Sequence, residues 1–265
     1  MDNQLIKNCT RYLQPYRPVG AGATDLVTKQ LNNSGILVSL KSAYGFFDSL
    51  KNLISLDDNN HPDIKDIDTN LPLTTIGELF QKYKSDKAGP NHRYDLVYQD
   101  ICSDLSTKES LSILEVGLGT NDQQIISHMG PHHKIGASLF AFREFFPNAF
   151  VYGADIDKKI LFTDNRIKCA YVDQLEPSTF YDMHNELGYP ILDLFVEDGL
   201  HNVTASLNSL NYAISVVKKG GYIILEDLYS PHKIWQTLCI ILKKCFDFEQ
   251  IQLINSGGLM LIIKV

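Results

Sequence analysis

Ser112-Ile113-Leu114-Glu115-Val116-Gly117-Leu118-Gly119-Thr120 is a short apolar strand that runs into a glycine-rich turn. Glycines in such a turn let the backbone come close to a ligand, where any side chain would stand in the way. Two more apolar runs follow: Phe150-Val151-Tyr152-Gly153-Ala154 ends in Asp155-Ile156-Asp157, and Lys168-Cys169-Ala170-Tyr171-Val172 ends in Asp173-Gln174. An acid at the end of the second strand is well placed to accept hydrogen bonds from the two hydroxyls of a ribose. The polar tips of Asp173 and Gln174 suit the edge of an adenine. The third glycine of a dinucleotide-binding fingerprint is missing, since Asp122 stands three residues beyond Gly119, which argues against a nicotinamide enzyme.

Two further runs carry the chemistry. Ile191-Leu192-Asp193-Leu194-Phe195-Val196 leads into Glu197-Asp198-Gly199-Leu200-His201, and Gly220-Gly221-Tyr222-Ile223-Ile224-Leu225 leads into Glu226-Asp227. Neighbouring strands lie about 4.8 Å apart, so side chains just past their carboxyl ends can converge on one small volume. Asp198, Glu226, Asp227 and His201 together suggest a hard metal ion with a general base beside it. An acid at a strand end also serves to cap a helix or close a turn. Several acids packed together repel one another, however, unless a cation, a proton or solvent relieves them.

Strand, glycine turn, strand ending in an acid and strand ending in Asp-Gln, in that order, is the layout of S-adenosylmethionine sites, and the chain resembles a class I methyltransferase. It is most similar to one branch, the metal-dependent sugar O-methyltransferases of the mycinamicin and tylosin type. The resemblance is carried by Ile113 to Gly119, Gly136 to Ala149, Tyr152 to Asp157, Val172-Asp173-Gln174, Glu197 to His201 and Lys219 to Leu228, which span most of residues 76–265. It implies that Asp198, Glu226 and Asp227 hold a magnesium-like ion and that His201 is the base. It also implies that Glu115, Gly117, Gly119, Asp155, Asp173 and Gln174 bind S-adenosylmethionine. Two positions depart from the pattern: Glu197 stands where the family often has a second Asp, and Leu200 replaces a small residue before the histidine. The segment Ser85-Asp86-Lys87, followed by His92, Tyr94 and Tyr98, also recurs in that family near the cofactor and substrate entrance, although a helix end followed by a solvated turn reads equally well.

Composition sets the outer limits. At 265 residues, 44% hydrophobic and 21% charged, the chain can bury one full core with an extension. A net charge of -7 disfavours nucleic acid and points to a small-molecule or glycan acceptor. Five cysteines, Cys9, Cys102, Cys169, Cys239 and Cys245, form no Cys-x-x-Cys pair, which suggests reduced thiols and a cytoplasmic protein. No apolar run reaches the ~18 residues of a spanning helix. The connection 121–135 carries His128, His132 and His133 and reads as a lid or substrate loop with exposed histidines.

The expected architecture is a doubly wound, seven-stranded, mostly parallel α/β sheet over residues 76–265, closed by the hairpin Phe248–Ile254 and Leu259–Lys264 around Ser256-Gly257-Gly258. Residues 1–75 read as a helical N-terminal extension and linker. Its apolar spacing from Ile36 to Leu56 suits packing onto the catalytic domain or onto a second subunit in a homo-oligomer. The expected activity is methylation of a sugar hydroxyl. A catechol-like acceptor, or a cofactor-binding subunit without turnover, are the alternatives.

Overall fold

The computed structural model describes residues 62–131, 133–229 and 232–265. The apolar pattern at Ile36–Leu56 and the extension up to residue 61 lie outside the described residues. The strands are β1 (Ile64–Asp66), β2 (Ser112–Val116), β3 (Phe150–Asp155), β4 (Thr163–Asp164), β5 (Ile167–Tyr171), β6 (Leu192–Glu197), β7 (Val217–Leu225), β8 (Gln250–Asn255) and β9 (Leu259–Lys264). The helices are α1 (Thr75–Tyr83), α2 (Asp95–Leu105), α3 (Ala137–Phe145), α4 (Ser178–Leu187), α5 (Val203–Val216) and α6 (His232–Cys245).

All nine strands form one sheet in the order β1-β8-β9-β7-β6-β2-β3-β5-β4. This corrects the expectation of seven strands. The seven expected are all present, and β1 and β4 are added at the two edges. β4 pairs antiparallel with β5 over only two residues, and β1 pairs parallel with β8 over three. Strands this short and polar carry too little alternation to be read from sequence, and short edges are how sheets end safely. The centre, from β7 through β6, β2 and β3 to β5, is parallel, while β9 runs antiparallel to both β7 and β8.

Alternation along the strands divides the core in two. Leu114, Val116, Phe195, Ile223 and Leu225 point to one face, where they pack with Met183 of α4, Leu210 of α5 and Trp235 of α6. Ile113, Val151, Leu194, Val196 and Ile224 point to the other, against Phe80 of α1, Tyr98 of α2 and Phe142 of α3. Phe80, Tyr98 and Phe142 meet edge to face at centroid distances of 5.5–5.6 Å, a favoured aromatic geometry. With helices on both faces, the carboxyl ends of β2 and β6 form the topological switch point, where the chain leaves β2 for β3 on one side and returns to β6 on the other. Ligands bind in that crevice in open α/β sheets.

Candidate active site

A cavity of about 360 Å³ opens at this switch point. It is within the size range of small-molecule sites. Of the cofactor residues expected from the sequence, Glu115, Gly117, Gly119, Asp155, Asp173 and Gln174 all line it, as do Asp198, His201 and Asp227. Glu226 does not.

The glycine turn is shaped by its neighbours. Gly117 has φ +101°, and a Cβ built there would overlap the carbonyl oxygen of Asp198. Asp155, at the end of β3, accepts from Leu118 N at 2.7 Å and from Asp157 N at 2.8 Å, so one carboxylate fixes both the glycine turn and the turn after its own strand. Asp157 accepts from the Thr120 hydroxyl at 2.6 Å. The segment 121–135 covers the cavity with Gln124, Ile125, Ile126, Ser127 and Met129. Within it His133 is exposed, but His128 is buried and accepts from Gly130 N at 3.2 Å, contrary to the expectation of exposed histidines. His132 lies outside the described residues.

Asp173 accepts from Leu175 N at 2.9 Å, which closes the turn after β5. Both ends of the Gln174 carboxamide are engaged. Its nitrogen donates to Glu197 at 2.8 Å and to Ser209 at 2.9 Å, and its oxygen accepts from Leu200 N at 2.8 Å. Gln174 thus ties β5 to the turn that carries His201. Glu197 is fully buried at the end of β6 and is also held by the Ser206 hydroxyl at 2.8 Å; burial pushes its carboxyl above the usual range.

His201 and Asp227 share an uncommon backbone state. Both are in the left-handed region, at φ 53° and 50°. Non-glycine residues held there mark sites where the surroundings dictate the conformation. For His201 the cause is local: Asn202 follows as the cap of α5, accepting from Ala205 N at 2.9 Å, so the chain turns sharply just before the helix. The imidazole Nε2 then lies 3.7 Å from Asp198 Oδ1, while Nδ1 is buried without a hydrogen-bond partner among the described residues. Asp198, His201 and Asp227 each offer a ligand atom within 4.8 Å of the other two. An oxygen-rich set with one imidazole suits a hard divalent cation.

Glu226 is engaged differently. It is buried beneath this wall, accepting from the Tyr98 hydroxyl and, at 2.6 Å, from the ammonium of Lys87. Lys87 is the functional residue that strand-end reading missed, although its Ser-Asp-Lys segment had drawn notice. α1 ends on Lys84 in the left-handed conformation, with Ser85 N bonded to Phe80 O at 2.8 Å, a helix stop that delivers Asp86 and Lys87 to the cavity. The Lys87 Nζ lies 2.6 Å from Asp198 Oδ2, 2.6 Å from Glu226 Oε2 and 3.1 Å from Glu115 Oε1. Glu115 also accepts from Ser138.

The electrostatics follow from this packing. Burial disfavours charge on Lys87, but Asp198, Glu226 and Glu115 outweigh it and hold the ammonium well above its ordinary pKa. Burial, aided by the charges of Asp198 and Glu115, raises Glu226 well above the carboxylate range. Asp198 moves the other way: burial raises it, yet Lys87 and His201 together pull it below its ordinary value. Asp86, also on the cavity wall, is raised by burial and by Asp198. Asp227 accepts from the Tyr94 hydroxyl, with His92 Nε2 at 3.6 Å. Gly258 of the closing hairpin makes room for that contact, because a Cβ there would meet Asp227 Oδ1 at 2.9 Å and overlap the Tyr94 hydroxyl.

No family model matches the sequence. Among known proteins, the chain is 25% identical over 157 residues to the 8-demethyl-8-alpha-L-rhamnosyl tetracenomycin-C 2'-O-methyltransferase of Streptomyces olivaceus, over 59% of this chain and 38% of that protein. It is 26% identical over 161 residues to the demethylmacrocin O-methyltransferase of Streptomyces fradiae, over 59% and 37%. The chain thus spans well under half the length of the curated relatives it matches. Among solved structures, the MycE methyltransferase of the mycinamycin pathway with Mg and SAH superposes with a TM-score of 0.58 at 20% identity, over 73% of this chain and 55% of that one. The same enzyme with Mg, SAH and mycinamycin VI gives 0.57 at 17% identity, over 100% and 63%. The chain has the Rossmann-like fold of the class I S-adenosylmethionine-dependent methyltransferases, and its sequence is similar to that of sugar O-methyltransferases.

Proposed function

We propose that the chain is an S-adenosylmethionine-dependent O-methyltransferase that acts on a sugar hydroxyl with the help of a divalent ion such as Mg2+. The observation that carries this reading is the meeting of Asp198, His201 and Asp227 donor atoms within 4.8 Å, in the same cavity as the glycine turn and Asp155. It is supported by relatives named for O-methylation of rhamnosyl and olivosyl groups and by the Mg and SAH of the superposable enzyme.

S-adenosylmethionine supplies an electrophilic methyl group on its sulfonium. A divalent ion raises the acidity of a hydroxyl beside it. The chain's own residues do the rest. Gly117 and Gly119 leave the backbone open to the cofactor, Asp155 receives its ribose hydroxyls, and Glu115, Asp173 and Gln174 complete that wall. Asp198 and Asp227, with Glu226 beneath them, form the acidic wall for the ion. His201 Nε2 faces this wall and accepts the proton of the reacting hydroxyl. Left-handed backbone at His201 and Asp227 fixes both side chains before substrate arrives, and such fixed placement is worth more to methyl transfer than any single contact. Residues 76–265 form the catalytic unit in this reading, and residues 1–75 serve assembly or closure over the substrate.

The acceptor is a glycoside, a glycan end or a nucleotide sugar. Incubation with S-adenosylmethionine, Mg2+ and a panel of these three classes, read by mass spectrometry, tests the reading. A gain of about 14 Da, from replacing H by CH3, on a sugar with loss of the product in chelator supports it. Methylation confined to catechols, or undiminished turnover in chelator, contradicts it.

A further inference from the structure

The lysine in the acidic wall has no part in the scheme above. A fully buried ammonium is costly unless paired, and Lys87 is 1% exposed with three carboxylates around it. Its contacts divide the two oxygens of Asp198. Oδ2 faces Lys87 at 2.6 Å, whereas Oδ1 faces His201 at 3.7 Å. Both oxygens of Glu226 face away from the cavity's ligand group, one toward Lys87 and one toward Tyr98. Asp227 stands apart from the lysine, with Tyr94 and His92 as its neighbours.

Building on the metal-assisted reading, we propose that Lys87 is a positioning residue, a resident cation that holds Asp198 and Glu226 from behind and reserves Asp198 Oδ1 and Asp227 for the divalent ion. Glu226 then acts through the lysine and does not ligate the ion. Two consequences follow from charge alone. The ammonium lowers the wall's attraction for a second cation, so the ion is held loosely, and with only two carboxylates on it, most of its coordination positions are left to water and to the acceptor's hydroxyls. Removing the lysine's charge frees Asp198 Oδ2 and Glu226 Oε2, and both become available to the ion.

The sign of that effect sets it apart from simple structural support, whose loss weakens metal binding. Calorimetric titration of Mn2+ into the full chain is the test. Lys87→Met is expected to bind Mn2+ roughly tenfold or more tightly than wild type, and the double variant Lys87→Met/Glu226→Gln to lose that gain. In the wild-type background, Glu226→Gln is expected to weaken Mn2+ at least tenfold less than Asp227→Asn does. Unchanged or weaker binding by folded Lys87→Met overturns the proposal. So does a Glu226→Gln loss equal to that of Asp227→Asn, a comparison that stands even if Lys87→Met fails to fold. A wild-type chain that binds no Mn2+ removes the metal-assisted reading and this inference together, whereas wild-type binding with either of the previous two results removes this inference alone.

Discussion

The backbone N–H of Asp198 donates to the carbonyl of Val116 at 2.8 Å, which draws the end of β6 against the glycine turn of β2. This closeness explains why residue 117 has no side chain: a Cβ would overlap the Asp198 carbonyl, and φ +101° is strained for any other L residue. Gly117→Ala is expected to destabilise the fold by at least about 2 kcal/mol, from strain and from displacement of the β6 turn. Denaturant unfolding checks it, and a loss below about 0.5 kcal/mol contradicts it.

Asp155 is held by two backbone N–H groups and still lines the cavity. Asp155→Ala is expected to weaken S-adenosylmethionine binding by about 1–3 kcal/mol, the cost of losing hydrogen bonds to a charged acceptor. Calorimetry on the folded variant decides this. Unchanged affinity takes Asp155 out of the cofactor site.

His201 and the carboxylates should fail in different ways. Single-turnover methylation by His201→Ala is expected to slow by roughly 100- to 10,000-fold, the usual range for a general base. Excess Mg2+ should not restore it. For Asp227→Asn, excess Mg2+ should recover part of the lost rate. A His201→Ala variant that regains its rate as metal rises would turn the imidazole into a metal ligand.

Cys102, Cys169, Cys239 and Cys245 are all free thiols, and Cys245 alone among them is exposed. Burial pushes Cys169 up to about 11 and Cys239 up to about 12, and raises Cys102 further. At pH 8 these three are protonated and shielded, so brief alkylation of the native protein should label Cys245 and spare them. Peptide mass mapping tells the four apart. Prompt labelling of Cys102 or Cys239 would mean that the core opens far more readily than its packing implies.

The parallel centre of the sheet was legible because β2, β3, β5, β6 and β7 are apolar runs that end in Gly, Asp or Glu. So was the convergence of Asp198, His201 and Asp227, since acids past adjacent strand ends have little room to diverge. Short, polar β1 and β4 left no such trace. Lys87 was harder for another reason. It arrives from α1, which is remote from β6 and β7 in sequence, and only the fold brings it 2.6 Å from Asp198 across 111 positions. The engagement of both ends of Gln174 was equally hidden, because its partners Glu197, Leu200 and Ser209 sit on other elements.

The central claim is that one cavity holds S-adenosylmethionine and a divalent ion side by side. Anomalous diffraction from crystals grown with Mn2+ and S-adenosylhomocysteine tests it most directly. The account predicts a manganese peak at bonding distance from Asp198 and Asp227, next to His201, with the nucleoside along Gly117–Gly119 and its ribose on Asp155. A nucleoside bound elsewhere, or a cavity with nucleoside and no manganese between Asp198 and Asp227, contradicts it.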